Sequence, residues 1–266
     1  MMVAAPTAKV AAATHAVFAR VVLLLSMAAT RSKSPARTAA KAKTTTTATD
    51  VFLFIPNLIG YARVVLTAIC LATALDEARW QLSMACYFVS FVLDAVDGMA
   101  ARRFKQSSDF GAVLDMVTDR CSTAALLVVL TKLYPGHWLW FLFLLVLDYS
   151  SHWTHMYASA SAPKGQQHHK KVAKDRNFLL RWFYGVYVFF GFCCVGAELF
   201  YVGLFALRYL APGGAAAELV GGLVWYVWFP GCVCKNAVNV AQLCSAAHVL
   251  ASRDAARRNA AAAKKK

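Results

Sequence analysis

The sequence predicts an all-α membrane protein with six transmembrane helices, and three observations lead to that class. Of its 266 residues, 59% are hydrophobic and only 15% are charged, against about 25% charged in an ordinary soluble domain. The apolar residues gather into stretches of about 20, long enough to cross a hydrocarbon core. Short polar or Pro/Gly breaks separate these stretches. Helices are their natural form, because lipid cannot satisfy open backbone N–H and C=O groups.

Taken in order, residues 1–49 read as a disordered basic extension. Ala, Thr and Lys dominate, with seven bases and no acid, a composition that cannot bury enough apolar surface to fold alone. Within it, Ala16 to Ala29 is apolar but too short to span. A mitochondrial presequence and a cleaved signal peptide are the competing readings of this segment. A domain over 50–252 follows, with spans near 52–75, 81–104, 110–131, 137–158, 182–207 and 219–249. Breaks fall at Asp76-Glu77, Gln106-Ser107-Ser108, Pro135-Gly136, the polar stretch 161–177 and Pro212-Gly213-Gly214. Residues 253–266 form a basic C-terminal tail ending in Lys264 to Lys266. A terminal lysine cluster can act as an endoplasmic-reticulum retrieval signal, but the spacing here is loose and reads better as solvated chain.

The bases orient the spans. With both termini on one side, that side collects 22 of the 28 Lys and Arg. They come from the N-terminal extension, Arg102-Arg103 with Lys105, the loop Lys164 to Arg181, and the C-terminal tail. The opposite side holds Arg79, Lys132 and Arg208, while Arg63, Arg120 and Lys235 lie inside spans. The excess of bases on one side makes both termini cytosolic. The net charge of +15 therefore flanks a lipid bilayer, and no nucleic-acid partner is expected. All eight cysteines sit in apolar stretches without zinc-finger spacing, and read as packing thiols.

Charges inside spans are costly and usually functional. Four aspartates crowd into 26 residues: Asp94, Asp97, Asp115 and Asp119. Spacings of three and four put each pair on one face of its helix. The short turn Gln106 to Asp109 folds the third helix back on the second, so both pairs can point into one cavity near the cytosolic face. No lysine is interleaved with them, and Arg102 and Arg120 are too few to neutralise four carboxylates. Like charges at close range resist joint ionisation, so a divalent metal is expected between helices 2 and 3. An all-oxygen set suits one or two Mg2+ or Mn2+ ions. Gly98, Ala100, Ala101 and Gly111 leave room beside the acids for a bulky group. Arg102, one turn past Gly98, can fork onto a phosphate, and Ser108 offers a hydroxyl. Together these residues describe a diphosphate site. A proton or cation pathway, or helix packing by small residues, is the competing reading.

Residues 94–119 read DAVDGMAARRFKQSSDFGAVLDMVTD. They resemble the signature of the CDP-alcohol phosphotransferases, D-x2-D-G-x2-A-R-x8-G-x3-D-x3-D. Every fixed position is filled, by Asp94, Asp97, Gly98, Ala101, Arg102, Gly111, Asp115 and Asp119. A narrower likeness, to the eukaryotic phosphatidylinositol synthases, extends over residues 51–66, 115–123, 147–155 and 197–201. It also takes in the loop pattern His169-Lys170, Asn177, Leu180-Arg181. Phe178 stands where that group has proline, and Ala197 where it has asparagine. The resemblance implies six core helices and a dinuclear site on Asp94, Asp97, Asp115 and Asp119. It also implies that Asp119 accepts the proton of the attacking hydroxyl, and that Gly98, Arg102 and Ser108 contact a CDP-diacylglycerol donor. The acceptor it implies is myo-inositol. Glycerol 3-phosphate, serine or a choline-type reaction are the alternatives, and a non-enzymatic cation pathway is a more distant one. The setting it implies is the endoplasmic reticulum or Golgi membrane, with the mitochondrial inner membrane as the alternative, and a homodimer.

Other polar residues bear on the acceptor. Asp148 with His152 and His155 shares a helix face, suited either to an inositol-binding wall or to a buried hydrogen-bonded network. Asn177 and Arg181 are further candidates for the acceptor pocket. His169, Lys170, Lys171 and Lys174 read as a lipid-facing basic patch. Glu198 can line a site or belong to a buried network. Arg63 can hold a phosphate or be a paired arginine, and Gly191 and Gly196 read as packing glycines.

Overall fold

The structure, a computed structural model, describes residues 46–161 and 185–264. It divides into two compact units, residues 1–50 and 51–266. Of the first unit, Asp50 accepts hydrogen bonds from the Thr47 backbone and hydroxyl, at 2.8 and 2.7 Å.

The second unit is helical throughout its described residues. Its helices are α1 (Ile55–Thr73), α2 (Trp80–Phe104), α3 (Asp109–Leu133), α4 (Trp138–Ala160), α5 (Tyr187–Tyr209), α6 (Ala215–Leu223) and α7 (Phe229–Ala263). A π-helical turn, Val224–Trp228, joins α6 to α7 without a break. Among the described residues, four stretches are long and apolar enough to cross a membrane: Ile55–Thr73, Trp80–Phe104, Val188–Tyr209 and the continuous Ala215–Ala263. The two other expected spans are helices of similar length with less apolar sequences. α3 carries Asp115, Asp119 and Arg120 through its middle, and the second half of α4 carries Asp148, two serines, His152, Thr154 and His155.

The last helix exceeds the expected span. The 49 residues of Ala215–Ala263 rise about 70 Å at 1.5 Å per residue, over twice a hydrocarbon core of about 30 Å. One end must therefore leave the bilayer. The exposed end with Arg253, Asp254, Arg257 and Arg258 meets that requirement, so much of the expected tail is helix.

α1 and α2 form the closest pair, α3 packs on α1 and α4, and α7 packs on α4 and α5. The main core is built from Leu127, Leu130, Leu144, Phe200 and Val224, all at most 3% exposed. Two close approaches set the α5 crossings. A Cβ on Gly196 would stand 3.1 Å from Gly231 Cα, and one on Gly203 would stand 2.5 Å from the Val224 side chain. Gly196 is thus a packing glycine, as expected. A Cβ on Gly191 would meet nothing within 4 Å among the described residues. Large apolar side chains such as Trp140, Phe143, Trp153, Val188 and Tyr226 face outward, as lipid-contacting surfaces require. All eight cysteines are free thiols.

Candidate active site

The turn between α2 and α3 sets the site. α2 ends at Lys105, in the left-handed region with φ 56°, and the Gln106 N–H closes the turn on the Ala101 carbonyl at 3.0 Å. Ser108 caps α3, its Oγ accepting from the Gly111 N–H at 3.0 Å. Such a cap satisfies a backbone donor that the helix leaves unpaired. Gln106 Oε1 accepts from the Ile55 N–H at 3.0 Å, which ties the turn to the start of α1. A Cβ on Gly111 would stand 2.8 Å from Asn57 Oδ1, so a glycine there lets α1 and α3 approach.

The four aspartates then converge on one guanidinium. Carboxylate oxygens of Asp94, Asp97 and Asp115 lie within 4.8 Å of one another. These hard oxygen donors fit a Mg2+- or Mn2+-type cation. Asp119 sits beside them through a shared partner, Arg63. The Arg63 guanidinium donates to Asp97 at 2.7 Å and Asp115 at 2.9 Å, lies 2.8 Å from Asp94, and also bonds Asp119. Arg63 is 2% exposed. The expected shortage of basic partners is therefore partly met by a residue of α1, and Arg63 is a paired arginine. One positive charge against four negative ones still leaves room for a cation's charge.

Two cavities meet at this cluster. The smaller, of about 170 Å3, is lined by Gly98, Ala101, Ser108, Gly111, Asp97 and Asp115 among others. Arg102 stands beside it, its Nη1 3.5 Å from where a Gly98 Cβ would lie. The larger, of about 410 Å3, begins at Asp94, Asp115 and Asp119 and runs between α4, α5 and α7. Asp115 lines both, and 48% of its side chain is exposed against 9% for Asp97.

The far wall of the larger cavity is a polar network. Arg120 donates to both Asp148 oxygens, at 2.9 and 2.8 Å. Asn239 Nδ2 donates to Asp148 at 3.2 Å, and Lys235 bonds Asn239. His152 Nδ1 lies 2.8 Å from the Asp148 carbonyl, and His155 also lines the cavity. On α5, Glu198 accepts from Tyr87 and Thr123, both at 2.7 Å. Thr123 bonds the Asp119 carbonyl as well, at 3.0 Å.

Most candidate residues named from the sequence thus line one continuous site. Asn177, Arg181, His169, Lys170, Lys171 and Lys174 lie outside the described residues. Sequence reasoning missed the work of Asn57, Tyr87, Thr123 and Asn239, whose sole signal is a polar side chain in an apolar helix. Arg120 and Lys235 had a stronger signal, a charge within a span, but no visible partner.

Comparison with known proteins adds three findings. The family model described as CDP-alcohol phosphatidyltransferase matches residues 53–209. CDP-diacylglycerol–inositol 3-phosphatidyltransferase 1 of Arabidopsis thaliana is 49% identical over 153 residues, covering 58% of this chain and 65% of that protein. The chain thus spans just under two thirds of the length of this plant relative. The human CDP-diacylglycerol–inositol 3-phosphatidyltransferase is 39% identical over 218 residues, covering 79% of this chain and 96% of that protein. The Saccharomyces cerevisiae protein of the same name is 39% identical over 216 residues, covering 80% and 93%. No solved structure matches the chain.

Proposed function

The chain belongs to the CDP-alcohol phosphatidyltransferase family, and we propose that it transfers the phosphatidyl group of CDP-diacylglycerol to myo-inositol with release of CMP. The observation that carries this reading is the meeting of two cavities on one carboxylate cluster, with Asp115 common to both. A group-transfer enzyme needs a donor on one side and an acceptor on the other, held at one centre. The printed names of the plant, human and yeast relatives support the choice of substrates.

In this reading Asp94, Asp97, Asp115 and Asp119 hold one or two Mg2+ or Mn2+ ions. Bound there, the metal offsets the charge of the donor diphosphate. Gly98, Ala101 and Gly111 leave the helix backbones open to the donor, and Arg102 and the Ser108 hydroxyl reach its phosphate oxygens. The acyl chains stay in lipid, which accounts for a polar site at membrane depth. The inositol hydroxyl attacks the phosphorus that bears diacylglycerol. Asp119 takes the hydroxyl proton, and the bond to CMP breaks. The polar wall around Asp148 holds the inositol ring, with Asn177 and Arg181 as further acceptor contacts.

The same reading makes α1 to α5 and the Ala215–Ala263 helix six transmembrane elements, with both termini cytosolic. The asymmetry of basic residues supports this orientation, and the endoplasmic reticulum is the proposed membrane. Purified protein given CDP-diacylglycerol, Mn2+ and a panel of acceptors tests the proposal. Phosphatidylinositol and CMP are the expected products. Faster turnover of glycerol 3-phosphate or serine would keep the enzyme class and overturn the acceptor.

A further inference from the structure

The acceptor wall holds as many anions as cations among the described residues. Arg120 and Lys235 supply two formal positive charges, and Asp148 and Glu198 two formal negative ones. Both cations converge on Asp148. Arg120 grips both of its carboxylate oxygens, at 2.9 and 2.8 Å, and Lys235 Nζ lies 3.9 Å away. Asp148 is 9% exposed and Lys235 8%. Glu198 lies apart from this trio, taking hydrogen bonds from Tyr87 and Thr123.

The balance selects by charge. An uncharged polyol entering this cavity needs hydrogen bonds, which Asp148, Asn239 and their neighbours supply. A phosphate monoester brings a charge of about −1.5 to −2. It must lose its hydration, and the two cations of the described wall, Arg120 and Lys235, are already engaged by Asp148; burying an uncompensated charge is strongly unfavourable. Without Asp148, Lys235 would lose its carboxylate neighbour and Arg120 would keep, among the described residues, only the ion pair with Asp119 at 3.9 Å, so the wall would favour that anion.

We propose that Asp148 is a specificity-determining residue: by engaging Arg120 and Lys235 it keeps the acceptor cavity selective for an uncharged polyol over its phosphorylated form. The inference rests on the proposed acceptor site. Neutralising Asp148 leaves the wall with a net positive charge. Neutralising Lys235 as well restores balance.

The test is inhibition of myo-inositol transfer by myo-inositol 1-phosphate, measured for wild type, Asp148→Asn, Lys235→Met and the double variant. The inhibition constant is expected to fall at least tenfold in Asp148→Asn, to rise in Lys235→Met, and to return towards wild type in the double variant. A purely structural role would weaken both ligands together and show no such return. An unchanged or higher constant in active Asp148→Asn, or a double variant inhibited as strongly as Asp148→Asn, overturns the proposal. If Asp148→Asn does not fold or turn over, Lys235→Met decides: a constant equal to or below the wild-type value overturns it. A wild-type enzyme inactive with myo-inositol refutes the proposed acceptor instead. The series, run with the acceptor that is used and its phosphate, then still decides the role of Asp148.

Discussion

Arg63 is the only charged residue of α1, yet it touches all four aspartates of the cluster. Removing one partner of a buried ionic group typically costs about 3–5 kcal/mol, because the remaining charges lose compensation. Arg63→Gln is therefore expected to lower the unfolding temperature sharply in EDTA. Mg2+ or Mn2+ should restore more of the loss in the variant than in wild type. Thermal unfolding in detergent, with and without metal, checks this, and equal metal-induced shifts in both proteins would refute the shared site. Asp119 presents a separate case. As the proposed base, its change to Asn should cut turnover by about 100-fold to 10,000-fold while binding of CDP-diacylglycerol survives. Turnover and donor binding measured on the same preparation separate these effects, and a wild-type rate removes Asp119 from the mechanism.

At the scale of elements, the site depends on a turn and on close helix crossings. Residues 105–108 turn the chain from α2 into α3 through the left-handed Lys105 and the Ser108 cap, and α3 then packs on α1 and α4 rather than back along α2. α5 and α7 cross where a Cβ on Gly231 would stand 2.8 Å from the Phe192 carbonyl oxygen and 3.1 Å from Gly196 Cα. These neighbours are backbone and cannot rotate away. Gly231→Val should therefore destabilise by about 1–3 kcal/mol through overpacking. Because α7 also carries Lys235 and Asn239, the inositol KM should rise more than the CDP-diacylglycerol KM. Kinetics at both substrates, alongside the unfolding temperature, test the link. An unchanged variant would show that the crossing is looser than its geometry.

For the whole molecule, residues 1–49 are the proposed extension and residues 50–252 the proposed catalytic domain. The matched family region begins at residue 53. A protein lacking residues 1–45 is expected to keep full phosphatidyl transfer in detergent. Specific activity of the truncated and full chains at equal folded concentration measures this, and a folded but inactive truncation would assign the extension to the active unit.

The sequence by itself determined the helical membrane class, the positions of the first four long helices within a few residues, and the gathering of Asp94, Asp97, Asp115 and Asp119. These are local properties. An apolar stretch of spanning length has few alternatives in lipid, and spacings of three and four fix a shared helix face whatever else surrounds it. The small residues Gly98, Ala101 and Gly111 were legible for the same reason, since they lie within a turn or two of the acids. Only the tertiary structure decided the partners. Arg63 meets residues 31 to 56 positions away along the chain, Glu198 meets Tyr87 across 111, and Asp148 meets Asn239 across 91. No helical period connects such pairs; the packing of α1 on α2 and α3, of α5 on α2 and of α7 on α4 brings them together. The sequence could mark Arg63, Arg120, Lys235 and Asp148 as charges in spans, but which anion each cation neutralises depends on helix packing, and the polarity of the larger cavity depends on that choice.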